Sequence, residues 1–357
     1  MARTKDYDDV TGTRKRSILP PDVQLGLKRL AADLPVNKVP VSEITRLLDG
    51  LSLVPAAAIV TAAQDMMIYG ELFAHHQYDK WGFSDGGVFV RRMVQLMEQT
   101  PGLEFILMFH GNGYLRQAAL QLTGKAVAST FQIAAVMYRL NDWVPQVRRE
   151  AFGSVLRLLA ETPAALVAAA VSDILALRLQ WQRGASELVI VDEALSRPDV
   201  FAVVMERLMT VATGGIFRSL QALMRDDRID AVLPDLARRA AHPAIRGLAL
   251  TTLISGQAKS RIGFEKRWID RSMNRYRRVP VFDARPVSTS LAPEALIRQG
   301  AEDHSASVRK VAMQALIDRP ELWSSHADTI DRLGKDRSAA IRAGIAYIRR
   351  QQTPPSY

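Results

Sequence analysis

Cysteine is absent from this sequence of 357 residues, and aromatic residues make up only 7% of it. Without cysteine the chain has no disulfide, no thiolate metal site and no cysteine nucleophile. Long apolar runs are missing as well. The two most apolar stretches, 54–70 and 163–179, contain polar and acidic residues, and each is shorter than the roughly 20 apolar residues that a membrane helix requires. We therefore expect both to be buried helices.

The segment from Met1 to Leu19 is polar and charged, without the apolar core of a secretory signal. Together with the lack of cysteine and of membrane-spanning segments, this predicts a cytoplasmic protein that does not associate with membranes.

Motifs for enzymatic chemistry are also missing. Gly124-Lys125 lacks the first glycine and the Ser/Thr of a phosphate-binding loop, and neither Gly-x-Gly-x-x-Gly nor Gly-x-Ser-x-Gly occurs. Ser307-x-x-Lys310 lies in a helical pattern without the companion motifs of β-lactamases, which favours coincidence. We expect no catalytic residue, no cofactor and no small-molecule substrate, and lean against an enzyme.

The residues that would first be considered as metal ligands are His75, His76, Asp79 and His110. Zinc sites need three or four ligands at regular spacings, and adjacent histidines do not match the His-Glu-x-x-His pattern. We expect no metal site here.

Helical spacing is the main feature that is present, whereas strand and hairpin signals are scarce. Apolar residues recur at three- and four-residue steps in 147–159, 308–317 and 341–348. Each stripe needs a neighbouring helix to cover it, which predicts packed helices.

A sequence repeat accompanies these helices. An apolar-Arg pair begins at 115, 147, 245, 308 and 341, so the gaps of 32, 98, 63 and 33 are close to multiples of about 32. In three copies an Asp stands five residues before the apolar residue: Asp142, Asp303 and Asp336. The period predicts further, degenerate copies near 180, 212 and 277, with Arg178 and Arg218 as their traces.

This pattern resembles that of HEAT-type helical repeats. The resemblance implies an all-α fold, a right-handed α-solenoid of HEAT-like antiparallel helix pairs. An Asp before a helix can accept from free N–H groups of the first turn, and the Arg can reach a carboxylate or carbonyl of the neighbouring unit. We therefore expect a framework role for the repeat arginines, which are Arg116, Arg148, Arg246, Arg309 and Arg342.

The predicted organisation follows from these features. It comprises a flexible basic tail (1–20), a divergent helical cap (21–105), HEAT-like repeats (106–255), a basic insertion (256–290), two C-terminal HEAT-like repeats (291–351) and a tail (352–357).

The basic insertion holds most of the charge. The net charge of the chain is +10, and residues 256–290 contribute 9 basic and 3 acidic residues, hence +6. Ile262, Ile269, Met273 and Tyr276 fit one face of a helix, so we expect either a basic helix or a degenerate repeat unit. The candidate partner-binding residues are Lys266, Arg267, Trp268, Arg271, Arg275, Tyr276, Arg277 and Arg278. Nucleic-acid phosphates or an acidic protein would match them, and a merely solvated surface is the alternative.

The preferred functional hypothesis is a non-catalytic scaffold or adaptor that binds a protein partner, because no catalytic constellation is present and helical repeats commonly serve this purpose. The alternative is nucleic-acid binding through 256–290. HEAT-like repeats also build the alkylpurine DNA glycosylases of the AlkD type, which use a Trp, an Asp and an Arg. The residues of this sequence that are most similar to that set are Trp81-x-x-x-Asp85 and Asp142-Trp143 with Arg148-Arg149.

Overall fold

The structure is a computed structural model that describes residues 17–36, 39–73, 86–124, 127–177, 189–287 and 291–352, with single positions at 181, 183, 186, 187 and 289. These residues form eighteen α-helices and one two-stranded sheet. The prediction of a mainly helical protein is confirmed, and one small two-stranded sheet accompanies the helices. The candidates His75, His76, Asp79, Trp81, Asp85 and Arg178 lie outside the described residues.

The chain divides into two compact units, Met1–Thr162 and Pro163–Tyr357. The first contains α1 (Pro21–Asp33), α2 (Val41–Ser52), α3 (Ile59–Tyr69), α4 (Gly86–Gln99), α5 (Glu104–Leu107), α6 (Gly113–Leu122), α7 (Thr130–Tyr138) and α8 (Pro145–Glu161). The second contains α9 (Ala164–Leu177), α10 (Val189–Ser196), α11 (Pro198–Thr210), α12 (Ile216–Leu223), α13 (Leu233–Arg239), α14 (Pro243–Ser255), β1 (Gln257–Asp270), β2 (Arg275–Pro286), α15 (Pro293–Ala301), α16 (Ala306–Asp318), α17 (Ala327–Gly334) and α18 (Ala339–Gln352).

The apolar stripes form the core as predicted. Val147, Ala151 and Val155 of α8 are at most 1% exposed, and so are Ile341 and Ile345 of α18. The two apolar stretches contain the helices α3 and α9; most residues of α9 are buried, whereas α3 buries one face only. In the described part of the chain no single helix has the length and apolarity to cross a bilayer. The required length and apolarity are met only by a pair of helical segments taken together, Val41–Ser52 and Ala56–Tyr69, and these are bent by 100° relative to each other.

A ladder of arginine–aspartate pairs connects successive repeats. The Nε and Nη2 groups of Arg116 donate to both carboxylate oxygens of Asp142, at 2.8 Å each. Arg246 binds Asp303 in the same bidentate way, and Arg309 binds Asp336. The third guanidinium nitrogen of each Arg donates to carbonyls five and six residues earlier in its own repeat. These contacts confirm the framework role for the three arginines.

Each aspartate of the ladder also binds the backbone directly before the helix that follows it. Asp142 accepts the backbone N–H of Val144 at 2.9 Å, and Asp303 and Asp336 accept the N–H groups two residues later at 2.7 and 2.8 Å. One carboxylate therefore satisfies a free N–H near the helix start and holds the arginine of the preceding repeat. This double use explains why the Asp and Arg recur together in the sequence.

The ladder also locates the inserted segment. Arg116 and Asp142 are separated by 26 residues, and Arg309 and Asp336 by 27, whereas Arg246 and Asp303 are separated by 57. The strands β1 and β2 with their turn occupy the 30 residues 257–286, and 57 − 30 = 27. The pair thus joins consecutive repeats with a β-hairpin inserted between them, and the prediction of a repeat unit near 277 is wrong.

The helix predicted within 256–290 is likewise replaced by strands. Gly256 ends α14 in the left-handed conformation (φ 67°), which turns the chain out of the helix. β1 and β2 then pair antiparallel from Gln257↔Pro286 to Asp270↔Arg275. At the far end the carboxylate of Asp270 accepts the N–H groups of Ser272 and Met273, and Asn274 takes φ 50°. Asp and Asn suit such a turn, so no Asn-Gly or Asp-Gly pair is required.

Candidate functional site

The base of the hairpin is fixed to the second unit. Ala258 and Ser260 are 1% and 6% exposed. The guanidinium of Arg285 donates to both carboxylate oxygens of Asp230 and to the carbonyls of Met224 and Asp226, at 2.7 to 2.9 Å. From Arg261 to Pro286 no residue of the hairpin is buried. A long exposed ribbon is therefore held at one end only.

The strand register collects one set of side chains on a single face. Directly opposed residues share a face, and the pairs Phe264↔Pro280, Lys266↔Arg278 and Trp268↔Tyr276 alternate with Glu265↔Val279 and Arg267↔Arg277. A bulge between Arg261 and Gly263 brings Arg261 and Phe282 onto the first of these faces. We call this the aromatic face, and it consists of Arg261, Phe264, Lys266, Trp268, Tyr276, Arg278 and Phe282.

Cations and rings contact one another along the aromatic face. The guanidinium groups of Arg261 and Arg278 lie 4.9 and 4.8 Å from the ring centre of Phe264. The Lys266 ammonium lies 4.7 Å from the Tyr276 ring, which meets Trp268 edge-on at 5.5 Å. The four aromatic side chains remain 39–44% exposed. The arrangement supplies positive charge and accessible ring surface side by side.

All but one of the nine cations of the hairpin lack a carboxylate partner among the described residues. Among the described residues only Arg285 of its nine basic residues forms an ion pair within 4.0 Å. Lys266 faces Arg278 and Arg267 faces Arg277 across the strands, and like charges in directly opposed positions destabilise a sheet. Burial and the nearby charge of Arg218 on α12 lower the pKa of Arg261, whose buried Nε has no hydrogen-bond partner. The hairpin therefore carries concentrated, uncompensated positive charge.

The structure brings together all eight predicted partner-binding residues, on a hairpin rather than a helix. Lys266, Trp268, Tyr276 and Arg278 lie on the aromatic face, whereas Arg267 and Arg277 lie on the opposite face. Arg271 and Arg275 flank the turn. Sequence reasoning missed Arg261, Phe264 and Phe282. Alternating polar and apolar residues around Gly263 were the available signal, but two bulges interrupt the alternation.

The turn end of the hairpin adds exposed apolar side chains to this charge. Ile269 and Met273 are each 64% exposed, and Ile262 further down β1 is 62% exposed. The spacing of these residues in the sequence fits one face of a helix. In the structure, however, Ile262 and Ile269 lie in β1 and Met273 lies in the turn. That expected helical face does not exist.

Among the residues considered for glycosylase chemistry, Asp142 belongs to the framework. Asp142 is 5% exposed, and its carboxylate accepts hydrogen bonds from Arg116, Arg139 and the N–H of Val144. Burial raises the pKa of Asp142, but hydrogen bonds from Arg116 and the charges of both arginines outweigh it and hold the pKa below its usual range. Trp143 is 67% exposed, with its ring 5.8 Å from the Arg116 guanidinium.

His110 occupies the position in its repeat that aspartate has in the others. Its Nδ1 accepts the N–H of Asn112 at 2.9 Å, and its carbonyl accepts Nη1 of Arg116, as Asp303 does for Ser305 and Arg309. The described residues contain no group of three or more His, Asp or Glu side chains arranged to hold a metal ion. The position of His110 is therefore explained by the repeat.

The buried imidazole should make stability depend on pH. Burial, assisted by the charge of Arg116, lowers the pKa of His110 to about 3. The unfolded chain takes up this proton below about pH 6.5 while the folded chain does not, so stability falls as pH drops from 6.5 toward 3. At pH 5 we expect a loss of about 2 kcal/mol relative to pH 7.5.

Urea unfolding of the wild type and of His110→Asn at pH 5 and 7.5 checks this expectation. Asn retains an acceptor for the N–H of Asn112 but does not titrate, and the other ionisable groups are common to both proteins. The variant should lose about 2 kcal/mol less than the wild type between the two pH values. If both proteins lost the same free energy of unfolding between pH 7.5 and pH 5, the pH dependence would not come from His110.

Comparisons with protein-family models, with curated proteins and with solved structures found no match for this chain.

Proposed function

We propose that this protein binds nucleic acid through the inserted hairpin, which contacts the phosphate backbone with its basic side chains. The observation that carries the proposal is the charge of 257–286, where eight of nine basic residues have no carboxylate within 4.0 Å among the described residues. A fold that places like charges in opposed positions gains most from a polyanion, because bound phosphates relieve the repulsion.

Nucleic acid suits this surface better than an acidic protein does. Basic residues lie on both faces and at the turn, along a β1 strand of 14 residues that spans roughly 45 Å. A regular, extended line of negative charge matches such a distribution. Arginine, which supplies six of the eight cations without a carboxylate partner, also binds phosphate through two parallel hydrogen bonds.

We further propose that the helical units are a non-catalytic scaffold of HEAT-like repeats, stacked as a right-handed α-solenoid within each unit. The bidentate pairs Arg116–Asp142, Arg246–Asp303 and Arg309–Asp336, at near-constant spacing once the hairpin is removed, support this proposal. In this arrangement the scaffold's function is to present the hairpin.

Binding measured against salt concentration tests the proposed function. Fluorescence anisotropy with labelled DNA and RNA oligonucleotides, single-stranded and duplex, should give affinities that fall linearly in log–log form between 50 and 300 mM KCl. Contact with about four to six phosphates predicts a slope of roughly −3 to −5. A protein that binds none of these probes at 50 mM KCl would refute the proposal.

A protein-binding scaffold is the second candidate. A cleft of about 690 Å³ between α14 and α16 favours it, with Ile254, Val311 and Met313 among its lining residues. If the titration detects no nucleic-acid binding, the protein-binding function becomes the better proposal.

A further inference from the structure

We infer that the hairpin selects single-stranded nucleic acid, whose bases stack on the rings of the aromatic face while its phosphates meet the adjacent cations. This inference rests on the proposed function and narrows it to one class of ligand. It is based on the aromatic face, not on the total charge.

The first argument is the segregation of rings. Phe264, Trp268, Tyr276 and Phe282 all lie on one face, whereas the opposite face carries the smaller side chains of Ala258, Ser260, Gly263, Val279 and Val281. Ala258 and Ser260 bury against the second unit, so the rings do not serve to anchor the hairpin. Their partial exposure leaves ring surface that a base can cover.

The second argument is the contact of two of the four rings with cations. Phe264 lies between Arg261 and Arg278, and Tyr276 lies beside Lys266. Aromatic surface for bases combined with cations for the backbone is the usual composition of single-strand binding surfaces. Glu265 and Asp283 lie on the opposite face, so no carboxylate on the aromatic face repels the strand.

The third argument concerns spacing. Successive same-face residues of a strand are about 7 Å apart, roughly twice the 3.4 Å rise per nucleotide of a duplex strand. A stretched single strand, whose bases have separated from one another, can place bases on successive rings. Inside a duplex each base is covered on both sides by its neighbours, so its ring surface is not accessible.

The test compares single-stranded and duplex probes with variants that lack the rings. Equilibrium anisotropy would use oligo(dT) and oligo(U) of 20 nucleotides and a 20-base-pair DNA duplex. The variant is Phe264→Leu/Trp268→Leu/Tyr276→Leu. The matched control is Tyr114→Leu/Trp143→Leu/Tyr347→Leu, which removes exposed rings (75, 67 and 43% exposed) from the helical units.

We expect the wild type to prefer at least one single strand to the duplex. The ring variant should bind that strand about 100-fold more weakly, with the duplex affinity within about threefold of the wild type and the salt slope unchanged. The control variant should bind both as the wild type does. Quenching of tryptophan fluorescence by the single strand should diminish in Trp268→Leu alone.

A conservative variant guards against a change in the hairpin fold. Trp268→Phe/Tyr276→Phe keeps the rings and should retain single-strand affinity within about threefold. Equal affinity of the wild type for duplex and single strands, or equal losses for both in the ring variant, would overturn the inference while leaving phosphate binding intact. Absence of binding to every probe would instead refute the proposed function itself.

Discussion

A variant without the two opposed cation pairs is expected to bind nucleic acid about a thousandfold more weakly than the wild type at 0.1 M salt. The four substitutions are Lys266→Gln, Arg267→Gln, Arg277→Gln and Arg278→Gln. Each lost phosphate contact removes roughly 0.7 to 0.9 from the slope of log affinity against log salt, so the slope should flatten by about 3. Anisotropy titrations at several salt concentrations measure both quantities.

The same variant should fold at least as well as the wild type. The substitutions remove two like-charge pairs in directly opposed positions, each of which destabilises the strands by a few tenths of a kcal/mol. An unchanged or slightly higher melting temperature would therefore separate lost binding from lost structure.

A matched control has the same change in net charge. Glutamine at Arg238, Arg239, Arg332 and Arg349 removes four exposed arginines of the helical units, and each of them forms an ion pair. We expect less than a threefold change in affinity. A loss equal to that of the hairpin variant would show that net charge alone governs binding, and would contradict the assignment of the site.

Asp142→Asn is expected to destabilise the first unit by about 3–5 kcal/mol, because it leaves two buried guanidinium groups without a counter-charge. The side chains of Arg116 and Asp142 are 3% and 1% exposed, and Arg139 donates to the same carboxylate at 2.9 Å. Asparagine has the same shape, so packing is retained and the loss reports on charge and hydrogen bonds. Urea unfolding followed by circular dichroism measures it.

The control for this experiment is an exposed pair. Glu302→Gln removes the partner of Arg332, and both side chains are more than half exposed, so the expected loss is below about 1 kcal/mol. A loss of under 1 kcal/mol for Asp142→Asn would show that the ladder contributes little. Since the pKa of Asp142 lies below its usual range, its stabilisation should be complete above about pH 4 and decline as the pH falls further.

The ladder could be predicted from the sequence because its parts lie close together in the chain. The Asp, the apolar residue and the Arg of one repeat are at most six residues apart, so the same spacing yields the same helix start each time. The spacing predicted only that each Arg reaches a carboxylate or carbonyl of the neighbouring unit, and the structure identifies the carboxylates as those of Asp142, Asp303 and Asp336. The hairpin disturbs the period of about 32, because the gap of 63 between residues 245 and 308 matches two units although it holds one repeat and the insertion.

Three local features explain why the sequence pattern did not predict the hairpin. Gly263 and two bulges break the alternation of β1, the turn uses Asp270 and Asn274 rather than an Asn-Gly pair, and apolar residues fall by coincidence at helical steps. Pro280 argued against a helix at its own position, but it did not indicate a strand. It is compatible with β2 because a strand of a two-stranded sheet has an open edge that needs no N–H donor.

The sequence by itself determined the helical character, the repeat with its Asp and Arg positions, and the concentration of positive charge in 256–290, because each depends on residues close together in the chain. Only the tertiary structure decided that the charged segment is a hairpin and that its rings share one face. Strand pairing joins residues up to 29 positions apart, and a bulge of one residue moves a side chain to the other face. Arg261 and Phe264 lie on the same face for that reason, although they are three residues apart.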